Sequence, residues 1–327
     1  TMNPSVSALV IFIVAYSLFV IFPMRRSFSA LGAVALLFIT QTIDPVDALV
    51  HGVNWNVMGI FVGMLVLADV FMGSRFPAYL AEIIVNRAPN TAVAILFICV
   101  MTSVISAFVE NVATVLIVAP VGLALAKKLD FNPINMMTAI AISSNLQGCA
   151  TLIGDPPSML LGGFAKMNFM DFFWYQGKPG IFFAVQIGAV TSSLYLYFVF
   201  REHKVKTKLL PEEKVLSWIP TLLLLALIMA LAGTSFFDKE FTYLAGLICM
   251  LFAVAAIIWD RATNQEEFWI NMKKLDWDTT FFLFGVFIIV YSLTETGWID
   301  QISAFLSARI GGNVLLGYLL LLIVSII

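Results

Sequence analysis

Two short stretches hold most of the polar residues buried inside otherwise apolar sequence. One is SAFVENVAT, residues 106–114; the other is SSNLQGCATLIGDPPS, residues 143–158. A break inside a membrane helix leaves unpaired carbonyls where one half ends and unpaired N–H groups where the next begins. Lipid cannot satisfy these groups, so they survive only where protein or a polar cavity does. In the first stretch, Glu110, Asn111 and Thr114 join the carbonyls of the incoming half in an oxygen-rich tip. Hard cations select such donors, which makes Na+ a candidate by extension from Ca2+ and Mg2+. Glu110 is equally open to carrying a proton. Pro120, on the returning arm, is expected to kink it.

In the second stretch the incoming half-helix is expected to end near Ser144 and Asn145. Gly148 is expected to supply the bend through its backbone freedom. Asp155 followed by Pro156 and Pro157 reads as an N-cap and a proline-led first turn. Asp155 is thus open both to capping and to a direct ion role. Asn145 and Thr151 are neutral oxygen donors with no evident capping duty, so candidate Na+ ligands are Glu110, Asn111, Asn145 and Thr151. Ser144 and Gly148 complete the expected site. Cys149 reads as a small packing residue.

The surrounding elements must be membrane helices. Of 327 residues, 61% are hydrophobic and 12% charged, with mean hydropathy +0.98. Soluble domains carry about 25% charged residues. The expected fold class is therefore an all-α integral membrane protein. A net charge of -2 without basic clusters gives no footprint for nucleic acid. Cys99, Cys149 and Cys249 lie scattered in apolar sequence, with neither disulfide nor metal spacing. Intramembrane protease motifs and a Walker lysine are absent, so no enzyme and no cofactor is expected.

Apolar runs long enough to span cover 6–22, 28–43, 53–72, 181–199, 217–235, 242–259 and 279–294, and another begins at 314. Residues 91–126 and 135–165 each divide into two halves. If 91–126 is a re-entrant hairpin and 135–165 one broken crossing, one set of loops holds 14 Lys and Arg and the other 4. If 91–126 crossed once, the division would be 8 against 10. The positive-inside rule therefore favours the hairpin and a non-cytoplasmic N-terminus. It also opposes an ordinary exposed loop at Glu110.

Residues from Val53 and from Leu275 run in parallel: Trp55 matches Trp277 and Gly63 matches Gly285, both at an offset of 222. At that offset Asp69 matches Tyr291; Asp69 itself reads as snorkelling to the interface. Five crossings plus a hairpin would set the second copy upside down, the inverted repeat of secondary transporters. The expected division is a first repeat at 1–200, a cytoplasmic basic linker at 201–216, and the start of a second repeat at 217–327. The counterpart of Ser106 would fall at position 328, so the second repeat is expected to be truncated before its hairpin tip.

With SAFVENVATVLIVAPV followed by SNLQGCATLIGDPPS, the chain resembles the ion transporter superfamily over essentially its whole length. That group includes arsenite permeases, NhaD-type sodium/proton antiporters, the melanosomal P protein, and citrate and divalent-anion symporters. Symporters usually carry Ser-Asn-Thr at the tip, where this chain has Glu110-Asn111-Val112, closer to the P protein and arsenite branch. That branch reads G-G-x-A-T-x-I-G-D-P-P-N in the second motif; here Gln147 and Ser158 replace its first Gly and final Asn. The resemblance implies a homodimer, separate scaffold and transport parts, elevator-like movement, and a cation site between tip and broken helix. The expected function is a multi-pass secondary transporter of the plasma (inner) membrane. It would move a small inorganic or organic anion coupled to Na+ or H+. Na+/H+ antiport and arsenite efflux are the alternatives, with a passive channel more remote.

Overall fold

The computed structural model describes residues 3–128, 132–202, 214–263, 272–311 and 313–326. Most of the basic linker expected at 201–216, and parts of the loops at 127–134 and 260–278, lie outside the described residues. Helices dominate, in keeping with an all-α membrane protein. They are α1 (Pro4–Ile21), α2 (Arg26–Ile39), α3 (Pro45–Asp47, continued by a π turn to Gly52), α4 (Trp55–Gly73), α5 (Phe76–Arg87), α6 (Thr91–Ser106), α7 (Asn111–Lys128), α8 (Pro133–Gly148), α9 (Pro156–Ala165), α10 (Ile181–Phe200), α11 (Ile219–Thr234), α12 (Leu244–Thr263), α13 (Trp277–Glu295), α14 (Trp298–Ile310) and α15 (Val314–Ile326). A two-residue antiparallel ribbon pairs Trp174–Tyr175 with Lys178–Pro179. Gln176 and Gly177, both at positive φ, make the primed turn such ribbons favour.

Among the described residues, α1, α4, α7, α10, α12 and α13 are long and apolar enough to cross a bilayer. The run expected to span 28–43 forms a shorter helix, because Gln41 turns left-handed (φ 52°) just after α2 ends. The arm α7 is longer than expected: its 18 residues cover about 27 Å. Pro120 sits inside α7, which runs through it as one helix.

The chain divides into two compact units. One, built from Thr1–Asn54 and Asp276–Ile327, contains α1 to α3 and α13 to α15. Its central contact is α2 on α13. At Gly285 a β-carbon would come within 2.7 Å of the Ala30 β-carbon, so glycine sets the closeness of this crossing. The Ser27 hydroxyl donates to Asp278, seven residues before Gly285. Arg26 donates to the Thr279 hydroxyl at 2.6 Å and lies 5.1 Å over the Phe282 ring. The Tyr291 hydroxyl donates to Asp47 and ties α13 to α3.

The other unit, Trp55–Leu275, contains α4 to α12, and its closest pairing is α4 on α12. A β-carbon at Gly63 would come within 2.6 Å of the Cys249 backbone. Seven residues earlier, Asn56 accepts from Gly246 N–H at 2.7 Å and donates to the Phe241 carbonyl at 3.0 Å. Asp69, expected to snorkel, is half-buried within electrostatic reach of Asp260 and Lys274. A second core joins α5 to α8 and α10 through Ile95, Ile98, Leu125, Met136 and Ile140.

Asp238 anchors the start of α12 by accepting from the backbone N–H groups of Thr242, Tyr243 and Leu244 and from the Thr242 hydroxyl. Burial pushes its carboxyl up, but these donors outweigh burial and hold it below the ordinary value. A depressed carboxyl contributes stability above its unfolded value of about 3.9, and that contribution is lost as pH falls through the lower folded value. Thermal stability in detergent should therefore decline below about pH 4, and Asp238→Asn should flatten that acid limb. An unchanged limb would refute the anchor. Gly63→Leu should cost about 1–3 kcal/mol or more by overpacking. Gly73→Ala, where a β-carbon meets nothing within 4 Å, should leave the melting temperature level or raise it.

Candidate functional site

The two polar stretches meet. Helix α6 ends at Ser106, α7 begins at Asn111, and between them lies a four-residue tip. Helix α8 packs against both arms and ends at Gly148; α9 restarts at Pro156. The intervening segment from Ala150 to Asp155 is buried throughout although it is not helical. Its polar groups must therefore find partners within the protein.

Both restarts are capped in the same way. One Glu110 carboxylate oxygen accepts from the Ala113 N–H at 2.8 Å, and one Asp155 oxygen accepts from the Ser158 N–H at 2.9 Å. Each acidic residue thus meets the positive end of a helix that begins deep in the sequence's apolar region. The Thr151 hydroxyl donates to the Ala107 carbonyl, joining the broken segment to the tip.

Around these caps oxygen atoms crowd together. The Ser106 hydroxyl lies 2.5 Å from Asn111 Oδ1, 2.9 Å from the Ser144 carbonyl and 2.8 Å from Ser144 Oγ. The Ser144 hydroxyl lies 3.1 Å from the Asn111 carbonyl. Two hydroxyl protons face three other acceptor oxygens, with the Asn111 amide nitrogen beside Gly148 as a further donor, so oxygen atoms predominate in the cluster. Ser106, Ser144 and Thr151 are fully buried. A β-carbon on Gly154 would lie 2.2 Å from the Gly148 carbonyl oxygen and 3.0 Å from that of Ala107, so carbonyls from both breaks converge there.

The remaining expected residues fall around this cluster. Thr114 is buried, with its hydroxyl donating to the carbonyl of Glu110, the tip residue that caps its helix, at 3.0 Å. Asn145 is exposed, whereas Ser144 and Gln147 beside it are buried. Cys149 packs beside Ala107 and Ala150, its thiol 3.1 Å from the Leu146 carbonyl. Pro156 and Pro157 open α9 directly after the Asp155 cap.

Over this geometry, the family model described as citrate transporter (CitMHS) matches residues 16–327. The chain belongs to the citrate transporter family. It is a multi-pass integral membrane protein of transporter type. An uncharacterized transporter of Mycobacterium tuberculosis (strain H37Rv) is 26% identical over 326 residues, covering 98% of this chain and 75% of the relative. The 46 kDa membrane protein of Mycobacterium leprae is 26% identical over 328 residues, covering 98% and 76%. The P protein of Mus musculus is 32% identical over 160 residues, 47% of this chain and 19% of that protein. Family and relatives alike point to a transporter rather than an enzyme.

Two expectations need correction within this family member. Helix α8 does not end near Ser144 and Asn145 but continues to Gly148. Its polar residues find side-chain partners without ending the helix: Ser144 in the cluster, and Gln147 on α10. Gly148 is helical and has no positive φ. It is needed for space, since a β-carbon there would sit 2.2 Å from Asn111 Oδ1.

Residues not singled out as ligands also matter. Ser103 and Ser106, one turn apart on α6, reach the carbonyls of Ser143 and Ser144 at 3.1 and 2.9 Å. Gln147 and Gln186 exchange two amide hydrogen bonds, each 3.0 Å, tying α8 to α10. The i, i+3 serine spacing in apolar α6 and the lone amide in α10 were the available signals. Thr151→Val should lower stability by about 1–3 kcal/mol by leaving the Ala107 carbonyl unpaired. Gly148→Ala should displace Asn111 and abolish transport while the protein remains monodisperse in detergent. Wild-type transport by Gly148→Ala would contradict the close fit.

Proposed function

We propose that this protein is a secondary active transporter that moves a small anion coupled to Na+ or H+, with the coupling ion held where the two breaks meet. The observation that carries the reading is the convergence of the Ala107 and Gly148 carbonyls beside the Ser106, Asn111 and Ser144 oxygens. Such a set of neutral oxygens suits a hard monovalent cation. Thr151 holds the breaks together, and Asp155 keeps the start of α9 in register. Asn145, exposed beside them, is left for the mobile substrate. The family's description makes citrate the first anion to test.

The arms α6 and α7 are read as a hairpin that returns the chain to its starting side, with 14 of 18 Lys and Arg then cytoplasmic. The N-terminus would be non-cytoplasmic, and the membrane the plasma (inner) membrane. Support for an inverted repeat comes from paired contacts in which Gly63 and Gly285, like Asn56 and Asp278, lie 222 apart, and their partners lie 219 apart. Gly63 against Cys249 corresponds to Gly285 against Ala30, and Asn56 bonding Gly246 corresponds to Asp278 bonding Ser27. On this reading the protein works as a homodimer. A second reading, exchange of an ion against protons or efflux of arsenite, is favoured by one feature: Glu110 stands where symporters carry serine.

Uptake into proteoliposomes by the full-length protein separates these readings. Na+-driven citrate uptake should fall at least tenfold in Asn111→Ala and Ser144→Ala, about 1.4 kcal/mol per tenfold loss of cation affinity. Glu110→Gln keeps an oxygen to cap Ala113 but cannot ionise. It should leave Na+-driven uptake intact and abolish any proton-driven flux. No response to either gradient would refute a coupled carrier, and unchanged proton-driven flux in Glu110→Gln would remove Glu110 from the proton path.

A further inference from the structure

A groove of about 640 Å³ runs between α1 and α2, far from the oxygen cluster in sequence. Val10, Leu18 and Phe22 form one wall, and Gly32 and Leu36 the other. It is apolar along most of its length; the polar lining residues are Arg25 at one end and Ser29 one turn further along α2, whose hydroxyl donates to the Arg25 carbonyl. Adjacent arginines in the turn differ sharply. Arg26 is engaged by Asp278, Thr279 and Phe282. Arg25 is exposed, and among the described residues its side chain makes no hydrogen bond or ion pair. Unlike a core cation, it is left for a ligand.

The groove's dimensions name the kind of ligand. From Val10 to Phe22 the α1 wall rises about 18 Å at 1.5 Å per residue. The hydrocarbon of one leaflet is about 15 Å, half of a core about 30 Å thick. The groove therefore runs from near the bilayer midplane to headgroup level, and its one cation lies at the headgroup end. Gly32 keeps the floor open: a β-carbon there would meet nothing within 4 Å. A second copy of a helix would bring a side-chain surface about 10 Å across, whereas a single acyl chain fits between two adjacent helices.

We propose that the α1–α2 groove is a binding site for one anionic phospholipid, its acyl chain along the groove and its phosphate paired with Arg25. A guanidinium offers phosphate two parallel hydrogen bonds; phosphatidylcholine carries the same phosphate, but its choline cation opposes Arg25, so a headgroup with net negative charge is favoured. A bound lipid would fill the apolar gap beside α2, the helix that Gly285 brings against α13.

The test is native mass spectrometry of the full-length protein, delipidated in detergent and titrated with phosphatidylglycerol or phosphatidylcholine of identical acyl chains. Wild type should bind one phosphatidylglycerol about fivefold more tightly, the worth of one arginine beside an anionic headgroup. Arg25→Gln should reduce phosphatidylglycerol to the phosphatidylcholine level, and Gly32→Leu, filling the groove, should abolish retention of both. Size-exclusion profiles would establish that both variants fold. Equal binding of the two lipids by wild type would overturn the proposal, as would unchanged binding by either variant. So would a Val14→Cys disulfide between two copies that forms with lipid present, since that would put a second chain in the groove.

Discussion

Everything at the centre of this protein follows from the cost of ending a helix away from water. Four N–H groups and four carbonyls lose partners at each break, and in hydrocarbon each unsatisfied group costs several kcal/mol. The two breaks answer each other. Thr151 of one satisfies the Ala107 carbonyl of the other, Ser106 reaches across to Ser144, and Ser144 reaches back to Asn111. The two restarts are held by carboxylates, Glu110 and Asp155. Neither stretch could persist alone, and the polar lining of the site is the same set of groups that makes the breaks tolerable.

Close approach is the second requirement. Oxygens from two segments gather only where no side chain intervenes, and glycines at 148 and 154 remove the obstruction. The same device sets α4 on α12 and α2 on α13, through Gly63 and Gly285. In lipid there is no hydrophobic force between helices, so close packing across small residues and interhelical hydrogen bonds must hold the bundle. Asn56 and Asp278 supply such bonds seven residues from each glycine.

The parts legible in the sequence were those where one residue type has one physical use. Asp155 before two prolines reads as a cap, and an Asp155 oxygen accepts from Ser158. The apolar runs gave the helices because a bilayer admits little else. Gly148 was misread because glycine answers two different needs, backbone freedom and empty space, and sequence does not separate them. The end of α8 was misread because polar residues in an apolar run resemble a stop. Ser144 and Gln147 instead bond to residues 38 and 39 positions away, Ser106 and Gln186. The facing of Asn145 against Ser144 was also hidden, since neighbouring helical positions differ by about 100° and the partner helices decide which is buried.

The glycine crossings also impose an order on assembly. Asn56 meets its partner Gly246 across 190 residues, and Ser27 meets Asp278 across 251. At synthesis rates of about 5–20 residues per second, α4 waits roughly 10 to 40 s in the bilayer before α12 exists. During that interval its glycine face and the Asn56 amide stand unpaired, open to lipid and to other nascent helices. For this chain the time to the native state is bounded by translation of its second half, not by the speed at which any one helix forms.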